Sequence, residues 1–283
     1  MIEILWLTAT EALIDSLKLF PFLLATYLVL EYLEEKAGHK TVNLIRRSGR
    51  LGPLIGALCG LFPQCGLAAA ASNFYAARVI SAGTLMAVYL STSDEMLPIL
   101  ISNAAPAALI AKILLIKVAA AVFFGMALDF FARRSMLLRP RDVDVETLCR
   151  NEDCKCEEGI WRSALRHSVK ITLFVLVISF LFNLAMEAIG VAPLARFLSF
   201  PLAGSVVAGL IGLVPNCSAS VIVTQLYLEG AIGFGAMMSG VLVGAGVGLL
   251  VLYRVNPRLK ENLLITAVLY AAGVLTGWLI DLF

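Results

Sequence analysis

The sequence predicts an all-α integral membrane protein made of two inverted repeats, and three observations support this fold class. The 283 residues are 60% hydrophobic and 15% charged, whereas soluble domains are about half apolar and about a quarter charged. Apolar stretches long enough to cross a bilayer recur along the chain. The two halves also resemble each other. We expect six full spans plus two re-entrant helical hairpins, or ten helices when the hairpin arms are counted separately.

The predicted spans are apolar stretches of about 18 residues or more, which is enough to cross a hydrocarbon core of about 30 Å. They lie near 19–37, 80–101, 107–131, 169–189, 231–253 and 261–283. The segment from about 132 to 166 is hydrophilic. The N-terminal MIEILWLTATEALID has neither the basic start nor the small-residue cleavage site of a signal peptide, so we expect it to stay in the mature protein.

The chain aligns with itself at an offset of 152 without a gap. Polar, glycine and proline positions match as well as apolar ones, which composition alone does not predict. The identities include Pro63/Pro215, Cys65/Cys217, Gly83/Gly235, Gly125/Gly277 and Asp129/Asp281. A duplication is therefore predicted, with a first repeat at 1–131, a cytoplasmic linker at 132–152 that stays hydrophilic to about 166, and a second repeat at 153–283.

Two segments, 52–77 and 204–229, carry the motifs GLFPQCG and GLVPNCS. By length, each fits either a kinked span or a re-entrant hairpin with its tip at Pro63 or Pro215. Charge favours hairpins with both termini outside, because the basic loops, including Arg78 and the linker, then lie in the cytoplasm. Each half then makes three full crossings, so the second repeat is inverted. The two tips are expected to meet near the midplane.

Cys65 and Cys217 are predicted to begin the second arm of each hairpin, where a helix N-terminus favours the thiolate. Gln64 and Asn216 add an amide beside each sulfur. Two thiolates suit a soft species such as Cu(I), Zn²⁺, a mercury ion or trivalent arsenic, whereas manganese prefers oxygen. Three alternatives remain: buried packing thiols, hydrogen bonds to a sulfur or selenium oxyanion held at the two helix N-termini, or a disulfide in a membrane thiol oxidoreductase.

Asp94 and Glu95 lie within a predicted span, where carboxylates are costly and are candidates for function. Their counterparts at the offset of 152 are Gly246 and Val247, so this acidic site belongs to one half only. The carboxylates would supply hard oxygen ligands, which would suit manganese, or would carry coupling protons. The structural alternative is an ion pair with Lys112 or Lys117.

The linker contains Cys149, Cys154 and Cys156 in an acidic context. Cytosolic thiols stay reduced, so metal capture is more plausible than a disulfide. Three thiolates would hold trivalent arsenic, or Zn²⁺ with a further ligand. The alternative is a solvated linker with incidental cysteines.

The paired P-x-C motifs, the Cys-rich central loop and the overall pattern of spans resemble the ten-helix heavy-metal exporters, a family also described as arsenic-efflux or manganese-transporter-like membrane proteins. The resemblance covers nearly the whole chain and implies export of a metal or metalloid. The net charge of +2 does not favour a nucleic-acid partner. No phosphate-binding loop or catalytic motif occurs, so we expect a secondary transporter without a cofactor rather than an enzyme. The sequence does not decide the oligomeric state.

Overall fold

The computed structural model describes residues 51–62, 65–93, 96–132, 160–189, 201–215 and 217–282, together with residues 10, 13–14, 16–17, 20–21 and 23–28. Every regular element in these ranges is an α-helix, as predicted. Three helical segments among them are long and apolar enough to cross a membrane, namely Ala107–Ala132, Phe234–Val255 and Leu259–Leu282. The chain is therefore a membrane protein whose regular structure is helical throughout the part that the structure describes.

The helices of the first half are joined by short connections. They are α1 (Gly52–Gly60), α2 (Cys65–Ala76), α3 (Ala82–Ser91), α4 (Met96–Ser102) and α5 (Ala107–Ala132). The next helix described, α6 (Ile160–Ile189), begins earlier than the predicted span at 169–189. Trp161, Leu165 and Val169 are exposed apolar residues at a spacing of four, and this spacing continues one apolar helix face into the segment expected to be linker.

The helices of the second half repeat this order. They are α7 (Pro201–Gly212), α8 (Cys217–Leu228), α9 (Phe234–Val243), α10 (Val247–Val255) and α11 (Leu259–Leu282). Adding 152 to the bounds of α2 and α3 gives the bounds of α8 and α9. The ends of α1 and α7 and the starts of α5 and α11 are also equivalent. The sequence offset is thus also an offset of helix boundaries.

Two of the predicted spans are each interrupted near their middle. The span predicted over 80–101 consists of α3 and α4, and the span over 231–253 consists of α9 and α10. In the first half, Pro98 fits only in the first turn of a helix, because proline has no N–H to donate to the preceding turn. In the second half, Gly246 has φ 52 and ψ −138, a conformation open to glycine. Each break therefore has its own local cause.

The same close crossing of two helices occurs once in each half. The Asp129 carboxylate at the end of α5 accepts hydrogen bonds from the Gly83 N–H at 2.8 Å and from the Ser81 hydroxyl at 2.7 Å. In the second half, Asp281 accepts from the Gly235 N–H at 2.9 Å. Each carboxylate caps the N-terminus of α3 or α9, which satisfies a backbone donor that the helix leaves unpaired.

In the first half, the directions of the helices follow from their contacts with α3. Gly52 lies against Thr84 and Gly60 lies against Ser91, so α1 runs parallel to α3. The turn after α2 folds back, with the Val79 N–H donating to Phe74 O at 2.8 Å, so α2 runs antiparallel to α3. The helices α1 and α2 therefore run antiparallel to each other, and the start of α1 lies at the level of the end of α2.

The second half has the same arrangement around α9. The Ser239 hydroxyl donates to Ser205 O at 2.7 Å and Gly212 lies against Val243, so α7 runs parallel to α9. The rings of Tyr227 and Phe234 are 5.7 Å apart across the turn that joins α8 to α9. The helices α7 and α8 therefore also form an antiparallel pair.

The long helix α5 shows how the halves are oriented relative to each other. Asp129 contacts Gly83 and Lys117 contacts Thr92, so α3 runs antiparallel to α5. The Lys112 Nζ lies 4.8 Å from the centroid of the Phe234 ring and the Lys117 Nζ lies 3.3 Å from Val241 O, so α9 runs parallel to α5. The equivalent helices α3 and α9 therefore point in opposite directions. We call the two ends of the molecule the Arg78 end and the Phe234 end.

The halves are interleaved rather than placed side by side. The helix α2 of the first half packs along α10 of the second, where the Ser72 hydroxyl donates to Gly248 O at 2.8 Å. In the equivalent arrangement, α8 packs along α4. The N-terminal helical segment and α6 cover α2 and α10, with Leu23, Tyr27, Ile171 and Val175 buried against them.

We predict that Gly83→Ala and Gly235→Ala destabilise the protein to a similar degree, by about 1–3 kcal/mol as in other overpacked cores. A Cβ at Gly83 would overlap Gly125 O and the Asp129 carboxylate, and one at Gly235 would overlap Gly277 O and the Asp281 carboxylate. The matched control is Gly233→Ala, whose Cβ would lie 3.7 Å from Asp281. Unfolding of each purified variant in detergent measures the effect. Equal stability of Gly233→Ala and Gly235→Ala would contradict the prediction.

Candidate functional site at the converging helix breaks

Four helix breaks form two neighbouring pairs, one in each half. The break after α1 lies beside the end of α3, because Gly60 contacts Ser91, and the break after α7 lies beside the end of α9, because Gly212 contacts Val243. The Lys117 ammonium joins the ends of α3 and α9 by donating to Thr92 O and, at 3.3 Å, to Val241 O. Backbone away from regular helix is tolerated at this depth only where it faces protein or a cavity.

The two cysteines of the predicted sulfur site are described by their backbone positions. Cys65 is the first residue of α2 and Cys217 is the first residue of α8, so each cysteine begins a helix as predicted. Pro215 lies in the turn before α8 and is partly exposed. Pro63, Gln64 and Asn216 lie outside the described residues. The positive ends of two helix dipoles thus lie at Cys65 and Cys217.

Asp94 and Glu95 also lie outside the described residues, whereas the three residues just before them are described. Thr92 ends α3 and its hydroxyl donates to Val88 O at 2.7 Å. The Ser91 hydroxyl donates to Ala87 O at 2.8 Å, and the Ser93 hydroxyl donates to Ser91 O at 3.0 Å. These hydroxyls therefore donate to the backbone around the break.

The two lysines proposed as ion-pair partners for these carboxylates differ in their surroundings. Lys112 places its ammonium over the Phe234 ring, a cation–π contact. Lys117 is fully buried and lies at the break that leads into Asp94. Of the two, Lys117 is the lysine placed beside the break.

The linker cysteines Cys149, Cys154 and Cys156 lie outside the described residues. Within the described ranges, no group of three or more His, Cys, Asp or Glu side chains comes together. In the described part of the chain, the charged groups at the breaks are the helix termini and the Lys117 ammonium. Helix N-termini stabilise anionic ligands and helix C-termini stabilise cations.

A buried polar network between the halves was not predicted from the sequence. The Tyr89 hydroxyl lies 2.7 Å from the Ser72 hydroxyl and donates to Gly248 O at 3.1 Å. Tyr89 and Ser72 are separated by 17 residues, while Gly248 is 159 residues from Tyr89. No local pattern predicts such a contact, although Tyr89 lies five residues before Asp94 in the sequence.

A second polar cluster joins the halves at the Arg78 end. Arg78 and Glu261 form an ion pair at 2.7 Å, with side chains 12% and 3% exposed. Asn256 accepts from Arg78 at 3.2 Å and donates to Glu261 at 3.1 Å. Burial alone lowers the pKa of Arg78, but the hydrogen bonds and negative charge of Glu261 outweigh this effect and raise the pKa above its usual value.

The Phe234 end has no equivalent ion pair at the corresponding positions. At the offset of 152, Gly230 corresponds to Arg78, Leu109 corresponds to Glu261 and Ala104 corresponds to Asn256. The backbone is nevertheless conserved between the halves, since φ is 62 at Arg78 and 73 at Gly230. The duplicated framework therefore carries a charged contact at one end and small or apolar side chains at the other.

These features define the class of the protein, a multi-span helical membrane protein with interleaved halves and broken helices. A family model described as "Putative, 10TM heavy-metal exporter" matches residues 8–192 and 201–283. The chain belongs to this family, which confirms the resemblance found in the sequence. The family description is that of an exporter. Comparison with curated proteins and with solved structures gave no match.

We predict that breaking the ion pair by Arg78→Gln or Glu261→Gln costs about 3–5 kcal/mol, because each change leaves a buried charge without its partner. The double variant should cost less than the sum, which shows direct coupling. The matched control is Arg258→Gln, because Arg258 is 39% exposed and lies 3.9 Å from Glu261, so it should cost less than about 1 kcal/mol. Unfolding in mixed detergent micelles measures each value. Additive losses would contradict the coupling.

Proposed function

We propose that this chain is a secondary transporter that exports a heavy-metal ion or metalloid across the cytoplasmic membrane of a prokaryote. The observation that carries this proposal is the contact between helix breaks of the two halves. Lys117 makes this contact by donating to Thr92 O at the break after α3 and to Val241 O at the break after α9. Many secondary transporters bind their substrates where interrupted helices from two repeats meet. The family assignment supplies the class of cargo.

The proposal includes an inverted-topology repeat, with repeats at 1–131 and 153–283 joined by a linker at 132–152. It is supported by the recurrence of helix boundaries at the offset of 152 and by the opposite directions of α3 and α9 along α5. The antiparallel pairs α1–α2 and α7–α8 support two re-entrant hairpins. In this arrangement the hairpins enter from opposite faces, and Pro63 and Pro215 lie at their tips.

The cargo site in this proposal consists of Cys65 and Cys217, the neighbouring amides of Gln64 and Asn216, and the carboxylates of Asp94 and Glu95. The start of a helix at each cysteine supports this assignment, since a helix N-terminus lowers a thiol pKa and favours the thiolate. Paired thiolates select soft ions or trivalent arsenic, while the carboxylates would extend the site to manganese.

The linker cysteines Cys149, Cys154 and Cys156 have a separate role in this proposal. They lie in the hydrophilic segment from about 132 to 166, which is separate in sequence from the breaks that form the pathway. Cytosolic thiols capture thiophilic ions, so the linker would load or sense the cargo on the cytoplasmic side.

A second candidate function is the transport of a sulfur- or selenium-containing anion. It is favoured by the two helix N-termini at Cys65 and Cys217 and by the buried ammonium of Lys117 at the breaks after α3 and α9. Converging N-termini and a fixed positive charge stabilise an oxyanion. Protonated thiols would then donate hydrogen bonds to the anion instead of binding a metal.

The proposed orientation places the Arg78 end in the cytoplasm and both termini outside. Basic residues gather at this end, where Arg254, Arg258 and Lys260 accompany Arg78. The turns at the Phe234 end carry Asn103 and Glu229, and the basic residue Lys112 at that end lies over the Phe234 ring. An excess of Lys and Arg on one side of a membrane protein is typical of the cytoplasmic face.

The orientation predicts opposite accessibilities for two single cysteines in a cysteine-free background. Asn103→Cys, in the exposed turn before α5, should react with a membrane-impermeant maleimide in intact cells. Lys260→Cys, in the exposed first turn of α11 at the other end, should react only after permeabilisation. Labelling of both cysteines from the same side would exclude three crossings per half. Labelling of Lys260→Cys alone in intact cells would reverse the orientation.

We predict that Cys65→Ser and Cys217→Ser each reduce metal binding and export nearly as much as the double variant, because both sulfurs share one ion. Such strong non-additivity is expected for groups that act as a unit. Cys59→Ser is the matched control, since Cys59 is an exposed thiol on the same hairpin and should leave binding unchanged. Binding to purified protein and export from vesicles are the measurements, with folding checked by size-exclusion chromatography.

The double cysteine variant also separates the two candidate functions. Near-normal metal binding in the folded double variant would overturn the thiolate site. If that variant lost export of a selenium or sulfur oxyanion while the wild type exported the anion but no metal, the anion function would replace the metal function. A Cys65–Cys217 disulfide in the purified protein, detected by mass spectrometry, would instead favour the thiol oxidoreductase.

A further inference from the structure

Lys117 is an unusual residue for its position. It lies within α5, a helix long and apolar enough to cross a membrane, and its side chain is fully buried. A lysine in such a segment is costly unless its charge is stabilised inside the protein. The corresponding residue of the second half is Leu269, which is also fully buried. The positive charge therefore occurs once in a framework that occurs twice.

The partners of the Lys117 ammonium include two carbonyls that helix breaks set free. The Ala245 N–H, which would bond Val241 O in a continuous helix, donates instead to Val243 O at 2.7 Å. The freed Val241 O accepts from Lys117 at 3.3 Å. Thr92 ends α3 with ψ 127, outside helical geometry, and its carbonyl also accepts from Lys117.

The two carbonyls come from the C-terminal ends of equivalent helices in opposite halves. Each helix C-terminus carries a partial negative charge of about half an elementary charge. Two such ends facing one point form a site for a single positive charge. In transporters with broken helices, unwound carbonyls and helix C-terminal ends of this kind coordinate Na⁺ or H⁺.

We propose that the Lys117 ammonium is a tethered cation that fills a monovalent-cation site formed by the C-terminal ends of α3 and α9. The side chain supplies from α5 the charge that an exchangeable alkali ion would otherwise supply from solution. The site is therefore occupied whenever the protein is folded. Removing the side chain would leave an empty site for a small ammonium or alkali ion.

This inference has one consequence that rests on the proposed function. If the chain is a secondary transporter, a tethered cation removes the need for Na⁺ or K⁺ at this position. Any dependence of export on Na⁺ or K⁺ would therefore have to arise at another site. The positive charge of Lys117 would also repel a cationic cargo. Anionic ligands, such as two thiolates or carboxylates, are therefore needed to offset this repulsion.

The direct test is chemical rescue of Lys117→Ala, measured by the thermal unfolding midpoint of the purified protein in detergent. The variant lacks three methylene groups and the ammonium, so n-propylammonium has the matching size and charge. The neutral 1-butanol has a similar size and serves as the ligand control. Leu269→Ala is the matched cavity control in the other half, because it removes a buried side chain that carries no charge.

We expect Lys117→Ala to unfold at a lower temperature than the wild type and to be stabilised selectively by n-propylammonium. Na⁺ or K⁺ should also stabilise it relative to choline, whereas the wild type and Leu269→Ala should not respond. Equal stabilisation by 1-butanol, or an equal response of Leu269→Ala to n-propylammonium, would overturn the proposal. If Lys117→Ala does not fold, Lys117→Met retains the volume without the charge, and a stability equal to that of the wild type would overturn the proposal.

The stability measurement does not depend on transport, so the two proposals fail separately. Selective rescue in a protein that exports no metal would leave the tethered cation in place and reject the proposed function. Export of metal together with the absence of selective rescue would reject the tethered cation and keep the function. A wild-type protein whose unfolding midpoint rises in Na⁺ or K⁺ relative to choline would also reject the tethered cation.

Discussion

Every backbone N–H and C=O freed inside the membrane must find a partner within the protein, and the architecture of this chain depends on how that requirement is met. In the described part of the chain, carbonyls at the ends of α3 and α9 are bonded within the protein. The Ser93 hydroxyl donates to Ser91 O, while the Lys117 ammonium donates to Thr92 O and Val241 O. These contacts join the breaks of the two halves.

The framework around the breaks is held by close packing between backbones. Gly83 faces Gly125 and Gly235 faces Gly277, so that the carboxylates of Asp129 and Asp281 reach the helix N-termini beside them. Small residues let helices approach in this way where no hydrophobic force drives them together. The frame is nearly symmetrical, and the chemistry within it is not. Lys117, Arg78 and Glu261 have apolar or small counterparts in the opposite half.

The parts of this structure that could be predicted are those repeated in the sequence. The offset of 152 located equivalent helix boundaries, and the matched Gly83, Gly125 and Asp129 belong to one packing motif. The sequence also placed a helix start at each P-x-C cysteine. The interruption of the two spans was not predicted, because Pro98 and Gly246 lie within long apolar stretches that fit continuous spans.

Contacts between the halves could not be predicted for a physical reason. Arg78 and Glu261 are 183 residues apart, and their pairing follows from how α2 packs along α10, which no local pattern encodes. Tyr89 and Gly248 are in the same situation. The polar groups of each pair are far from each other in the sequence, and they form these hydrogen bonds only when the two halves pack together.

The interleaving of the halves also affects how the chain must be made. The helix α2 is complete at Ala76, but its partner α10 ends at Val255, about 180 residues later. At the usual synthesis rates of about 5–20 residues per second, this delay is roughly 10–35 seconds. During that interval Ser72 and Arg78 are already in or beside the bilayer without the second-half groups that satisfy them. The polar groups of α2 and of the turn after it must therefore be accommodated by the insertion machinery or by earlier chain segments until the second half has been synthesised.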